Sequence, residues 1–199
     1  CEISAGLVSR LRENKGYFTV NIARGDGIEA VEAGPIEILN PCDEADREIL
    51  IDKLGRSREA ATAVPSVDAY SSSGPSSIHR LLANASRGRK KDPLVVYTAE
   101  NNNRAAEILR EAVRNESELP EDDLDGNITF LNTVIGKMSG VITDPDEIEA
   151  RKLSNLVPGY ETAILVEEFN RILVSTPPGL AQRDWRPSFS TFETRAELL

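Results

Sequence analysis

The fold of this 199-residue chain is indicated most clearly by the segment Leu94-Val95-Val96-Tyr97-Thr98-Ala99-Glu100-Asn101-Asn102-Asn103. Its first half is a continuous apolar run, which is typical of a parallel strand buried on both faces. The run ends abruptly in a carboxylate and three amides, and a helical pattern follows over 102–114. In open α/β sheets, ligands bind at the carboxyl ends of the strands. The stretch therefore predicts a buried strand that delivers Glu100 and Asn101 to a binding site.

Similar patterns lie on both sides of this strand. We predict strands over 60–64 and 128–135 and a helix over 76–85, and we interpret the acidic segment 115–126 as a surface loop. The order strand, helix, strand, helix, strand is typical of a parallel, doubly wound sheet. Upstream, the sequence predicts a helix after Ser4, a β-hairpin with strands over 17–23 and 34–39, and a helix over 43–54. We therefore expect an α/β fold, a Rossmann-like doubly wound parallel sheet with an inserted β-hairpin.

The character of the sequence changes from Asp144 onward. Two strands are predicted over 160–166 and 171–174, which could pair in antiparallel fashion, and Pro177-Pro178-Gly179 then breaks the pattern. We expect a partial dinucleotide-binding domain over 1–143, and over 144–199 a strand extension and the start of a second, substrate-binding domain. The chain begins with Cys rather than Met, and we expect it to be part of a longer polypeptide.

Composition narrows the classes of function. The chain is 40% hydrophobic and 28% charged, and its net charge of −10 argues against nonspecific binding of nucleic acid. No apolar run approaches the roughly 20 residues that a membrane span needs. Two cysteines in a chain of this size favour a reducing, cytoplasmic location over a disulfide scaffold. Composition therefore argues against both a nucleic acid and a membrane as the partner.

Glu2 is a candidate cofactor ligand. In a dinucleotide-binding fold, an acidic residue after the second strand accepts hydrogen bonds from the adenosine ribose. Glu2 would occupy that position if the first strand, its glycine loop and its helix preceded it. Its neighbours Ile3 and Ser4 are neutral, which favours NAD over NADP as the cofactor. The alternative is that Glu2 is an exposed terminal residue without a function.

Two other candidate segments follow predicted strands. Ala63, Val64 and Pro65 end one strand with residues that let a flat ligand approach the backbone closely, although such a sequence also ends strands that have no function. Asn101 can donate and accept hydrogen bonds at once, which suits a carboxamide or a sugar hydroxyl. Alternatively, Asn101 caps the helix that follows it, and both roles can hold together.

Several motifs together resemble the mannitol dehydrogenase family, the polyol-specific long-chain dehydrogenases. Thr98-Ala99-Glu100-Asn101 and Asn132-Thr133-Val134-Ile135-Gly136-Lys137-Met138 are similar to segments of that family. Three further segments appear in matching order, so the resemblance covers most of the chain: Gly34-Pro35-Ile36, Ala61-Thr62-Ala63-Val64 and Val166-Glu167-Glu168-Phe169. The most similar branch is that of the mannitol-1-phosphate 5-dehydrogenases. The resemblance implies a Rossmann domain followed by a helical substrate domain, and NAD-dependent interconversion of a polyol or polyol phosphate and a ketose.

The resemblance also implies roles for single residues. Glu2 matches the ribose-binding acid, Val64 and Asn101 match positions that line the nicotinamide, and Asn132 and Lys137 lie near the substrate cleft. Ala63, Pro65 and Glu100 adjoin these positions and are predicted to be part of the cofactor site.

This chain departs from the family in three places. Relatives often carry Asp-Arg where this sequence has Gly136-Lys137, and this leaves the substrate open because Arg and Lys differ as anion clamps. The family's glycine loop would precede Glu2, and its catalytic Lys, Asn and His would lie beyond Leu199. We therefore expect the full-length protein to be an enzyme and this segment alone to be inactive. A non-catalytic Rossmann-like binding protein and a uronate reductase of the same superfamily remain as alternatives.

Overall fold

The computed structural model describes residues 1–87, 89, 93–135, 139–168, 172–175 and 192–195. The helices are α1 (Ala5–Glu13), α2 (Glu44–Arg56), α3 (Ile78–Arg87), α4 (Ala105–Glu116), α5 (Glu121–Asn127) and α6 (Pro145–Ala150), with a 3-10 helix at Val67–Ser71. The strands are β1 (Phe18–Arg24), β2 (Gly27–Ala33), β3 (Glu59–Thr62), β4 (Leu94–Thr98), β5 (Ile128–Ile135), β6 (Ser139–Ile142), β7 (Ala163–Glu167), β8 (Ile172–Ser175) and β9 (Phe192–Arg195). Among these described helices, none is both long and apolar enough to cross a membrane.

The chain divides into two compact units. One unit comprises Cys1–Asp43 and Gly136–Asn170, and its four-stranded sheet has the order β2-β1-β7-β6. The other comprises Glu44–Ile135 and Arg171–Leu199, and its five-stranded sheet has the order β3-β4-β5-β8-β9. The compact units do not follow the predicted boundary between 143 and 144. That boundary concerns the domains of the whole protein and stays a prediction.

The predicted parallel strands form the centre of the five-stranded sheet. β4 pairs in parallel with β3 on one side and with β5 on the other, and all five residues of β4 are buried. Leu94 and Val96 pack against Leu109 and Val113 of α4, in a core to which α3 also contributes. On the opposite face of the sheet, Val95 and Tyr97 of β4 form a second buried cluster with Leu131 of β5 and Val174 of β8. Burial on both faces explains why the sequence of β4 is a continuous apolar run.

The strands predicted over 160–166 and 171–174 do not pair with each other. β7 pairs in parallel with β1 and in antiparallel fashion with β6, whereas β8 pairs with β5 and β9 in the other sheet. The local sequence patterns correctly predicted two strands. The partner of each strand depends on residues far away in the sequence, and the suggestion that these two strands pair with each other was wrong. The tail over 176–191, expected to begin a second domain, lies outside the described residues.

The predicted hairpin exists, but its second strand was misplaced. β1 pairs with β2 from Phe18↔Ala33 to Arg24↔Gly27, so Gly25-Asp26 is a two-residue turn. The expected strand over 34–39 instead follows β2 and is not a strand. β2 is mostly exposed, so it lacks the apolar alternation that identifies a half-buried strand.

Local signals set the ends of other elements. Ser4 Oγ accepts a hydrogen bond from Leu7 N at the start of α1, as predicted. Gly16, just after α1, has φ +80°, and a Cβ there would lie 2.1 Å from the Ile36 carbonyl oxygen, so only glycine fits. The segment 115–126, predicted to be a loop, contains most of α5, because the fully buried Leu124 anchors a short helix. β6 and α6 were not predicted.

Candidate functional site: the carboxyl ends of β3, β4 and β5

Three parallel strands bring most of the predicted site residues to one edge of the five-stranded sheet. Thr62, the last residue of β3, is paired with Thr98, the last residue of β4, and Thr98 is paired with Asn132 of β5. Ala99 N also donates to Thr62 O at 3.0 Å, which extends the pairing beyond β4. The segments 63–65 and 99–101 therefore leave the sheet side by side. This is the edge at which an open α/β sheet binds its ligands.

Glu100 turns into the protein at this edge. It is only 6% exposed, and its carboxylate accepts hydrogen bonds from three groups. Thr62 Oγ1 and Val64 N each donate to it at a donor–acceptor distance of 3.0 Å. The Tyr70 hydroxyl donates to the same carboxylate oxygen as Thr62. Glu100 thus fastens the end of β3 and the 3-10 helix to the end of β4. Its predicted place in the cofactor site stays a prediction, but its carboxylate oxygens are directed to protein groups.

Tyr70 is the partner of Glu100 that sequence reasoning missed. Its side chain is fully buried, and Ser66 Oγ helps to position it by accepting a hydrogen bond from Asp68 N at the start of the 3-10 helix. Burial raises the pKa of the Tyr70 phenol well above its ordinary value, and the hydrogen bond to Glu100 adds to the effect. Tyr70 is therefore a neutral donor. No local motif marks it, because 30 residues separate it from Glu100.

His79 contacts the backbone of Tyr70. It is 8% exposed, and its Nδ1 lies 2.7 Å from the carbonyl oxygen of Tyr70, so the Nδ1–H tautomer donates to that oxygen. Its Nε2 lies 3.6 Å from a carboxylate oxygen of Glu116, whose other oxygen lies close to Arg80. The single histidine of the chain thus packs inside the unit rather than facing the strand ends.

Asn101 points the other way from Glu100. A hydrogen bond of 2.7 Å from Asn102 N to Glu100 O closes a tight turn with Asn101 at its centre. Asn101 is exposed, and its side chain makes no hydrogen bond to the described residues. The alternative that Asn101 caps the next helix was wrong. α4 begins at Ala105, and Asn102 Oδ1 accepts from Arg104 N at 2.8 Å in the turn before it.

Asn132 caps α4 from the neighbouring strand. Its Oδ1 accepts from Ala106 N at 2.9 Å, which satisfies one of the backbone donors left open at a helix start. Its Nδ2 donates to Glu107 Oε2, also at 2.9 Å. Both ends of the amide are therefore bonded within the protein. The assignment of Asn132 to the substrate cleft stays a prediction.

The remaining predicted residues are placed as follows. Ala63 and Pro65 are exposed at the end of β3, and Val64 is half-buried with its N–H held by Glu100. Glu2 lies in the other compact unit, where its Oε1 accepts from Ser4 N at 2.7 Å, and its role toward a ribose stays a prediction. Lys137 lies outside the described residues. Within the part of the chain that the structure describes, no cluster of His, Cys, Asp or Glu could hold a metal ion.

Comparison with known proteins finds solved structures with a similar fold. No protein-family model matches the chain, and no curated protein sequence does. Among solved structures, a D-sorbitol dehydrogenase in substrate-free form matches with a TM-score of 0.70 at 13% sequence identity, over 96% of this chain. A Pseudomonas fluorescens mannitol 2-dehydrogenase, solved as a ternary complex with NAD and D-mannitol, matches with a TM-score of 0.67 at 16% identity, over 98% of this chain. The chain therefore folds like a part of these two polyol dehydrogenases.

The likeness has a limited extent. This chain spans 45% of the length of each of these two polyol dehydrogenases. At such low sequence identity the match describes the fold and not the chemistry. The predicted α/β class with a Rossmann-like sheet is confirmed, and the predicted resemblance to polyol dehydrogenases is confirmed at the level of the fold.

Proposed function

We propose that this chain contributes the nicotinamide side of the cofactor site in an NAD-dependent polyol dehydrogenase. The full-length enzyme would interconvert a polyol or polyol phosphate and a ketose, as the mannitol-1-phosphate branch of the family does. One observation carries the proposal. At the carboxyl edge of a sheet with a polyol-dehydrogenase-like fold, the exposed Asn101 amide has no partner among the described residues.

The residues at the edge fit a nicotinamide ring and its carboxamide. The Asn101 side chain offers both a donor and an acceptor, which is what a carboxamide requires. Ala63 and Pro65 are exposed and carry no flexible side chain that would cover the backbone beside them. The solved mannitol 2-dehydrogenase complex contains NAD, which supports the choice of this cofactor in the same fold.

Orientation is the contribution of these residues to the reaction. When bound, NAD would accept a hydride from the carbon of the polyol. Asn101 would hold the carboxamide and so fix the rotation of the ring, while Glu100 holds the backbone at Val64 in place. Correct positioning of reacting groups can lower a barrier by several kcal/mol. The proposed preference of the site for NAD over NADP is inferred from the neutral residues Ile3 and Ser4 that follow Glu2.

The test is a comparison of two asparagine variants of the full-length protein. Oxidation of mannitol, mannitol 1-phosphate and sorbitol is followed by the absorbance of the reduced nicotinamide, with NAD and NADP in turn. Asn101→Ala should lower kcat/KM by about tenfold or more, the value of one good hydrogen bond. The matched control is Asn103→Ala, since Asn103 is also exposed and lies two residues farther along the chain, and it should change kcat/KM by less than about twofold.

Three results would contradict the proposal. They are equal effects of the two substitutions, turnover with NADP alone, and binding of NAD without turnover of any polyol. The last result would support a non-catalytic Rossmann-like binding protein. Reduction of a uronate with NADH, and of no ketose, would identify a uronate reductase instead.

A further inference from the structure

We infer that the buried carboxylate of Glu100 makes the site prefer the oxidised, positively charged form of a nicotinamide cofactor over the reduced, neutral form. The inference rests on the proposed function. It adds an electrostatic role for a residue whose side chain does not reach out to the ligand. Glu100 would thereby act as a determinant of which cofactor form is bound more tightly.

The first observation is that Glu100 is buried without a cationic partner among the residues that the structure describes. Its three partners, the hydroxyls of Thr62 and Tyr70 and the backbone N–H of Val64, are all neutral donors. No Arg or Lys of the described residues forms an ion pair with Glu100. The exposed carboxylate of Asp125 in the same unit differs in this respect, because it pairs with Arg110 at 2.7 Å. Buried charges are usually paired, so the negative charge of Glu100 is unusual.

The second observation concerns the ionised state. An ionised carboxylate only accepts hydrogen bonds, and Glu100 has donors on both oxygens. Tyr70 keeps its proton, since burial and the neighbouring carboxylate both raise the pKa of its phenol. The donors around Glu100 therefore match a carboxylate that bears its charge.

The third observation is the position of this charge. One oxygen of Glu100 lies 3.0 Å from Val64 N, and the next residue, Asn101, is the proposed holder of the carboxamide. Charges separated by a poorly solvated region interact more strongly than charges in water. The oxidised nicotinamide ring carries a positive charge and the reduced ring carries none. A fixed negative charge behind the ring position therefore attracts one form and not the other.

A purely structural role for Glu100 is the rival explanation, and variants of the full-length protein can separate the two. Glu100→Gln removes the charge but keeps the shape, because its carbonyl oxygen can accept from Val64 N and its amide can donate to the hydroxyl oxygens. Tyr70→Phe removes one hydrogen bond but keeps the charge. Glu100→Met has a similar volume and also removes the charge, but it leaves the three donors without an acceptor, so it serves as a second charge-removing variant with a different hydrogen-bonding loss.

The measurement is the dissociation constant of NAD and of NADH for each variant, from the fluorescence of bound NADH and its displacement by NAD. The ratio Kd(NADH)/Kd(NAD) should fall by about tenfold in Glu100→Gln or Glu100→Met. In Tyr70→Phe the ratio should stay within about twofold of the wild type. The ratio cancels any general loss of affinity, so a structural role alone leaves it unchanged.

An unchanged ratio in the charge-removing variants would overturn the inference and leave the proposed function in place. The inference also fails if Tyr70→Phe changes the ratio as much as Glu100→Gln does. A wild-type protein that binds neither NAD nor NADH would overturn the proposed function and the inference with it.

Discussion

Replacing Glu100 by alanine should destabilise the protein far more than replacing a surface glutamate. The substitution leaves three donors without their acceptor: two hydroxyls and the Val64 N–H. An unsatisfied buried donor costs about 1 to 3 kcal/mol. Water entering the space left by the side chain should keep each cost near the lower limit. We therefore expect a loss of about 3 kcal/mol in the free energy of unfolding, which is a large part of the stability of an ordinary domain.

The assay is urea unfolding followed by circular dichroism, with Glu111→Ala as the control. Glu111 is exposed on α4 and pairs with Arg114 at the surface, where such pairs contribute little. The control should change the free energy of unfolding by no more than about 0.5 kcal/mol. Equal losses in the two variants would refute the view that Glu100 fastens the ends of β3 and β4.

Two further predictions concern Asn132 and the buried tyrosines. Asn132→Ala should reduce the free energy of unfolding by about 1 kcal/mol and speed amide exchange at Ala106, because the helix loses its cap; a change in KM without either effect would favour the substrate cleft instead. Burial, reinforced by a neighbouring glutamate, raises the pKa of Tyr70 and Tyr97 above the ordinary value of 10.0, so their contribution to stability is complete below that pH and is lost above it. Urea unfolding at several pH values should show stability falling above about pH 10, and less steeply in Tyr70→Phe.

The central part of the fold could be predicted because its signals are local. β4 is buried on both faces and reads as an apolar run, and β5 occupies 128–135 as predicted. β2 was not predicted, because an exposed edge strand needs few apolar residues. The choice of pairing partners for β7 and β8 depends on residues far away in the sequence, so their patterns predicted the strands but not the sheets.

The sequence predicted where in the fold the candidate site lies, but it did not predict which side chains contact each other there. The abrupt end of an apolar run located Glu100 and Asn101 at a strand end. Nothing local shows that a γ-turn sends Asn101 outward while Glu100 turns inward to Tyr70, 30 residues away. In the same way, 26 residues separate Asn132 from the helix start that it caps. Side-chain direction at a strand end is set by the tertiary partners that the fold brings there.

A titration of the ¹⁵N-labelled full-length protein with NAD, followed by NMR, would show whether these strand ends bind the cofactor. If the carboxyl ends of β3 and β4 hold the nicotinamide, the backbone amides of Ala63, Val64 and Asn101 should shift in a saturable manner, and Asn101→Ala should weaken that binding. Saturable shifts confined to other parts of the protein, with these three amides unmoved, would contradict the account.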